Sequence, residues 1–105
     1  MGQRFMFLTV TLAVLAGWLL PAALGHADEI TRGQMLSVSC AGCHGTDGQS
    51  PGSIPSISGK AAGTMETLLK EFRDGKREST MMVRHMKGYT DEEIKLIAQY
   101  FASLK

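Results

Sequence analysis

The pentapeptide Cys40-Ala41-Gly42-Cys43-His44 constrains this chain more than any other feature of its sequence. Two thiols separated by two residues and followed at once by an imidazole form the attachment pattern of a c-type haem. Each thiol can add to one vinyl group of the porphyrin, which leaves His44 beneath the ring as the proximal axial ligand of the iron. The pattern therefore predicts an electron-transfer protein with one covalent haem c, anchored by Cys40 and Cys43.

Two other interpretations of the same residues are open. A Cys-x-x-Cys redox dithiol usually lies in a strand-helix-strand unit, but no apolar-polar alternation typical of a strand flanks this motif. A structural zinc site needs four ligands, and the only further histidine or cysteine after residue 44 is His85. Haem attachment explains the residues better than either alternative.

The amino terminus has the pattern of an export signal. Arg4 precedes an apolar stretch from Phe5 to Leu20, which is followed by Pro21 and by small residues that end at Ala27. We predict a signal peptide over residues 1–27, cleaved after Ala27, and a cytochrome domain over residues 28–105. Export predicts a periplasmic protein, and contact with a membrane is expected only if the segment stays uncleaved as an anchor.

Charge and size limit the possible functions of the remaining 78 residues. Of the 11 Lys and Arg residues only Arg4 lies in the predicted signal, and none of the 10 Asp and Glu residues do, so the domain is formally neutral. A nucleic-acid partner is not expected, because no basic footprint is present. So short a chain struggles to bury enough apolar surface alone, and we expect the haem to supply the missing core.

Two helices are predicted at the ends of the domain. Thr31 and Gln34 have capping-box spacing at the start of a first helix that leads into the haem motif, and Thr90 and Glu93 have the same spacing at the start of the last helix. Gly33 predicts that the two helices cross closely, although a merely tolerated helix glycine fits as well. The crossing is expected to be filled by two aromatic residues of the last helix, Tyr100 and Phe101.

The middle of the domain is predicted to wrap the cofactor. Residues 42–63 are rich in Gly, Ser and Pro and form a loop, in which Ile54 and Ile57 are expected to face the ring. A carbonyl near Pro55 is expected to accept the Nδ1–H of His44. A further helix is predicted from a Thr64 cap to a stop at Asp74-Gly75.

The sixth ligand of the iron is expected from residues 79–88, which contain Met81, Met82 and Met86. A thioether raises the reduction potential and suits electron transfer. Spacing alone does not choose among the three methionines. His85 is a competing ligand that would lower the potential, and an open sixth site would instead indicate a haem enzyme or a gas sensor.

The whole domain resembles small bacterial class I cytochromes c. The residues that carry the resemblance are Cys40-Ala41-Gly42-Cys43-His44-Gly45, the Pro-containing loop, the methionine segment and Thr90-Asp91-Glu92-Glu93 before the last helix. The resemblance implies an all-α, small class I cytochrome c fold, with crossing N- and C-terminal helices and one wrapped haem. It also implies that Met82, seven residues before Tyr89, is the axial ligand ahead of Met81 and then Met86, and that Pro55 is the proline whose carbonyl receives the His44 proton.

Within that group the chain is similar to the monohaem cytochrome subunit of flavocytochrome c sulfide dehydrogenase. The similarity lies in Phe72-Arg73-Asp74-Gly75, Ser79-Thr80-Met81-Met82-Val83-Arg84 and Lys87-Gly88-Tyr89. It implies a periplasmic subunit that accepts single electrons from an FAD-containing sulfide dehydrogenase flavoprotein and passes them to a soluble cytochrome or another redox acceptor. The chain would not be an enzyme by itself, and the alternative is a free, soluble mobile electron carrier.

Overall fold

The computed structural model describes residues 30–104, which form helices and loops without a strand. The predicted signal peptide, residues 1–27, lies outside the described residues. The helices are α1 (Arg32–Ser37), α2 (Ala41–His44), α3 (Ala62–Arg73), α4 (Met82–Met86) and α5 (Asp91–Ser103), with 3₁₀ turns at Val38–Cys40 and Thr46–Gly48. The predicted all-α class is confirmed. No helix in this part of the chain has the length and apolar character needed to cross a membrane.

The first and last helices cross at Gly33, as predicted. A Cβ atom added to Gly33 would lie 2.7 Å from the Leu96 carbonyl oxygen and 3.4 Å from Tyr100 Cβ. The helix backbones are therefore so close that only a glycine fits without a shift. Tyr100 flanks this crossing, but Phe101 does not fill it, because its ring turns toward the 3₁₀ turn at Gly48.

Side-chain caps explain where α1 and α5 begin. Thr31 Oγ1 accepts a hydrogen bond from the Gln34 backbone N–H at 3.2 Å. At α5 both halves of a capping box are present, because Thr90 Oγ1 accepts from Glu93 N and Glu93 Oε2 accepts from Thr90 N. These caps satisfy backbone donors that have no partner within the helix.

The predicted cap at Thr64 is wrong. Helix α3 begins at Ala62, and its N-cap Ala61 makes no side-chain capping bond. The Gly59 backbone N–H donates to the Phe101 carbonyl oxygen at 2.9 Å, which fixes the chain shortly before the helix. Ala62 then begins the helix, and its high helix propensity allows the helix to start ahead of the threonine.

The predicted stop of α3 at Asp74-Gly75 is confirmed. Gly75 adopts a φ of +71°, and its N–H donates to the Phe72 carbonyl at 3.2 Å. The Lys76 N–H donates to the Glu71 carbonyl at 2.9 Å. This pair of bonds is a Schellman motif, which ends a helix where glycine supplies the left-handed conformation.

The core lies where α3, α4 and α5 meet. Its buried apolar residues are Met65, Leu69, Met86, Ile94, Ile97, Ala98 and Phe101. On the surface, Arg73 and Lys70 of α3 face the Asp91 carboxylate at the start of α5. The hydrogen bond from Arg73, followed by its positive charge, lowers the pKa of Asp91.

Candidate functional site

An apolar cavity of about 560 Å³ lies beside the core, between the Cys-x-x-Cys-His segment and the three later helices. Apolar side chains of α3 and α5 form its walls, among them Met65, Leu68, Leu69, Phe72, Ile97 and Phe101. A cavity of this size matches the range of roughly 300–1,000 Å³ that is typical of cofactor sites.

Both cysteines line this cavity. Cys40 ends the 3₁₀ turn and Cys43 lies in α2, so the two thiols are separated by about one helical turn and face the same side. Neither thiol is in a disulfide, and Cys43 is the more exposed of the two. Burial is the main cause that raises the pKa of the Cys40 thiol.

His44 is buried at the end of α2, with 9% of its surface exposed. Its Nδ1 lies 2.7 Å from the Pro55 carbonyl oxygen, to which it donates a hydrogen bond. Because Nδ1 is occupied in this way, Nε2 is the nitrogen that remains for a metal. A Cβ on Gly45 (φ +82°) would lie 2.0 Å from the Gln49 carbonyl oxygen, so only glycine permits the sharp turn that follows His44.

The loop residues Ile54 and Ile57 also line the cavity. Ile57 is half-buried and its backbone N–H donates to the Gly48 carbonyl at 2.8 Å. Ile54 is 42% exposed and lies at the mouth. The structure therefore brings both isoleucines to the same cavity as the two thiols and the imidazole.

The three candidate methionines occupy different environments. Met82 begins α4, is half-buried and lines the cavity. Met81 also lines the cavity but is 65% exposed. Met86 is only 1% exposed, belongs to the core and is not among the residues that line the cavity, which argues against Met86 as a ligand.

His85, the competing ligand, lines the cavity as well, but its Nε2 lies 3.2 Å from Ser39 Oγ. Within residues 30–104 no group of three or more His, Cys, Asp or Glu side chains is placed to bind a bare metal ion. The structural-zinc interpretation is therefore not supported. No strand accompanies the motif in the described chain, so the redox-dithiol interpretation lacks its usual structural unit.

Sequence reasoning missed two cations at the cavity, Lys60 and Arg77. The Arg77 guanidinium lies 5.7 Å from the centre of the Phe72 ring, and its Nε donates to Glu71 at 3.1 Å. No Asp or Glu side chain is among the described residues that line the cavity. Lys60 lies two residues before α3 and Arg77 lies four residues after it. This placement is a signal that the sequence offered, since cations at the two ends of an apolar helix can bind an acidic ligand.

The residues of the cavity fit a haem. Two thiols, one oriented imidazole and a thioether surround a single apolar space, and two cations are present for the carboxylates of the porphyrin. This set combines soft sulfur and imidazole nitrogen, the donors that hold haem iron. Apolar walls suit the ring itself, because they bury its faces away from water.

Comparisons with known proteins show which proteins this chain is similar to. The family model described as Cytochrome c matches residues 30–105. The cytochrome subunit of sulfide dehydrogenase from Chlorobaculum tepidum is 57% identical over 86 residues, which cover 80% of this chain and 78% of that protein. Cytochrome c-554(548) from Halomonas halodenitrificans is 36% identical over 81 residues, covering 73% of this chain and 98% of that protein. Cytochrome c4 from Pseudomonas aeruginosa is 33% identical over 84 residues, covering 78% of this chain and 42% of that protein.

Proposed function

This chain belongs to the cytochrome c family, and from that premise we propose that it is the electron-accepting subunit of a flavocytochrome c sulfide dehydrogenase. The chain is an electron-transfer protein with one covalently bound haem c. The observation that carries the proposal is the 57% identity to a cytochrome subunit of sulfide dehydrogenase. The cavity lined by Cys40, Cys43, His44 and Met82 supports the presence of a haem.

Four residues that line the cavity have proposed roles toward the haem. Cys40 and Cys43 would hold the ring by thioether bonds, and His44 and Met82 would ligate the iron, with Met82 preferred to Met81 on the family resemblance. When bound, the haem supplies reversible one-electron chemistry at its iron. The Pro55 carbonyl fixes the imidazole plane of His44 and increases its basicity through the 2.7 Å hydrogen bond.

The cavity walls raise the reduction potential of the site by excluding water. Met65 and Leu69 on α3 and Ile97 on α5 are almost completely buried, so one wall of the site has little contact with solvent. A low-dielectric wall disfavours the additional positive charge of the oxidised centre. Together with the neutral thioether of Met82, this wall favours the reduced state and a raised potential.

Lys60 and Arg77 are proposed to neutralise the two porphyrin carboxylates. Burying a carboxylate without a partner is costly, and a planar guanidinium is well suited to bind one through paired hydrogen bonds. Glu71 and Phe72 restrict the Arg77 side chain at the cavity, so less side-chain entropy is lost on binding.

The proposed partner is an FAD-containing flavoprotein that oxidises sulfide, as the 57% identity to a cytochrome subunit of sulfide dehydrogenase suggests. The chain offers an apolar rim for docking, because Ile54 and Met81 line the cavity and yet are 42% and 65% exposed. Exposed apolar side chains around a redox centre favour a protein contact. The sulfide chemistry belongs to the flavoprotein, and this chain supplies no catalytic group.

The proposed location is the periplasm. The amino-terminal pattern supports an export signal over residues 1–27, with cleavage after Ala27. Residues 28–105 would then be the mature cytochrome, which agrees with the span of 30–105 matched by the family model. Electrons would leave for a soluble cytochrome or another redox acceptor.

Copurification tests the proposed complex. The holoprotein from its native source should elute with a flavoprotein at moderate salt, and sulfide should reduce its haem only when that flavoprotein is present. Ile54→Glu should weaken the association at least about tenfold, since it places a charge in an apolar contact. Ile30→Glu is the matched control, because Ile30 is 60% exposed and does not line the cavity.

A second candidate is a free mobile carrier of the same fold. It is favoured by the match to cytochrome c-554(548), of which 98% is covered. A lone monomer at every salt concentration, reduced rapidly by several unrelated donors, would support this candidate over the subunit. Transient redox encounters use small interfaces and leave no stable complex.

A further inference from the structure

A chain of hydrogen bonds links the haem-attachment segment to α4. Ser39 Oγ lies 3.2 Å from His85 Nε2 and 2.9 Å from the Tyr89 hydroxyl. The Tyr89 hydroxyl also lies 3.5 Å from the Leu36 carbonyl oxygen, and the His85 and Tyr89 rings are 5.7 Å apart. We call Ser39, His85 and Tyr89 the Ser39 clasp.

The clasp contains a side chain that is chemically able to replace Met82. His85 lies three residues after Met82 on the same short helix, so the two side chains share a face, and both line the cavity. Imidazole is a strong ligand for haem iron and lowers its potential. A His85-ligated protein would therefore differ from a Met82-ligated one in both spectrum and potential.

The clasp occupies Nε2 of His85, the outer ring nitrogen, through which this side chain would reach the iron. If Ser39 donates to Nε2, the lone pair of that nitrogen is already used. If Nε2 carries the hydrogen and donates to Ser39 Oγ, it has no free lone pair. Tyr89 completes the network in either arrangement, because its hydroxyl can donate to Ser39 or accept from it.

We propose that Ser39 and Tyr89 are positioning residues that keep His85 off the iron and so preserve Met82 as the sixth ligand. This inference rests on the proposed ligation by Met82. It predicts that the identity of the axial ligand depends on a serine hydroxyl located outside the Cys-x-x-Cys-His motif. A net hydrogen bond of typical strength corresponds to a shift of roughly fivefold in the ligand-exchange equilibrium.

Removal of the serine hydroxyl from the haem-loaded protein tests the proposal. In Ser39→Ala we expect partial loss of the sulfur-to-iron absorption band of the oxidised protein, a bis-imidazole signal in near-infrared magnetic circular dichroism and a lower reduction potential. Ser39→Thr keeps the hydroxyl and should retain the wild-type band. Ser103→Ala is the matched control, because its hydroxyl donates to the Tyr100 carbonyl at the far end of α5.

A double variant separates ligand exchange from structural damage. In Ser39→Ala/His85→Phe the sulfur band and the potential should return, because the competing imidazole is gone. A full wild-type band in Ser39→Ala, or a band that stays lost in the double variant, would overturn the proposal. The wild-type band reports on methionine ligation separately, so its presence beside an unaltered Ser39→Ala spectrum would reject the clasp while leaving methionine ligation intact.

Discussion

Substitution of Gly33 by alanine tests the contact between α1 and α5. The added Cβ would lie 2.7 Å from the Leu96 carbonyl oxygen and 3.3 Å from its carbonyl carbon. These are backbone atoms in the middle of α5, so they cannot move away as the end of a flexible side chain would. The two helices must separate until the 2.7 Å approach becomes an ordinary contact.

The expected change in the free energy of unfolding follows from two opposing effects. Alanine in place of a helical glycine stabilises by roughly 0.5–1 kcal/mol through backbone entropy. Forcing a methyl group into a packed contact costs about 1–3 kcal/mol. We therefore expect Gly33→Ala to lower the free energy of unfolding by roughly 1 kcal/mol and by at most about 2.5 kcal/mol, measured on the holoprotein by denaturant titration.

Gly63→Ala is the matched control for this prediction. Gly63 also lies in a helix, α3, but a Cβ there would meet no atom within 4 Å. Only the entropic effect remains, so we expect Gly63→Ala to raise the free energy of unfolding by roughly 0.5–1 kcal/mol. Equal stabilisation by both substitutions would refute the close crossing.

Three further predictions concern the site and the surface. Met82→Ala should abolish the sulfur-to-iron band in the visible spectrum of the oxidised protein. Met86→Ala should keep that band, but it should lower the free energy of unfolding in a denaturant titration by about 2–5 kcal/mol, because Met86 is a buried core residue. Arg77→Gln should lower the reduction potential in a potentiometric titration, because a positive charge that disfavours the oxidised centre is removed. The pKa of Asp91 lies below its ordinary value of 3.8, chiefly because Arg73 donates a hydrogen bond to it, so its contribution to stability is present above pH 3.8 and is lost as the pH falls through the folded-state value. The Asp91→Asn variant should therefore lose less stability than the wild type when the pH is lowered. A variant whose stability falls as much as that of the wild type between neutral pH and pH 2 would contradict that expectation.

Local chemistry allowed much of the fold to be predicted from the sequence. The caps at Thr31 and Thr90 and the glycine stop at residue 75 depend on neighbours within a few positions along the chain. Gly33 predicted a helix crossing because only a residue without a side chain permits such a close approach. The predicted Thr64 cap is wrong because a backbone hydrogen bond from Gly59 to α5 and the helix-favouring Ala62 set the start of α3 earlier.

The contacts that complete the site could not be predicted from local sequence patterns, because they join residues that are far apart along the chain. Ser39 and His85 are 46 residues apart, and nothing near either residue indicates that they meet. Arg77 reaches the cavity only because the turn after α3 places it over Phe72. For the methionines, spacing left three candidates; the structure sets Met86 apart in the core, and the preference for Met82 over Met81 comes from the family resemblance.

The intact mass of the exported, denatured protein tests the central claim most directly, because a covalent cofactor survives unfolding. The account predicts the mass of residues 28–105 plus one haem, with the added mass absent from Cys40→Ser/Cys43→Ser. A wild-type protein that is matured in a periplasm able to attach haem, and that still shows only the mass of the bare polypeptide, would contradict it.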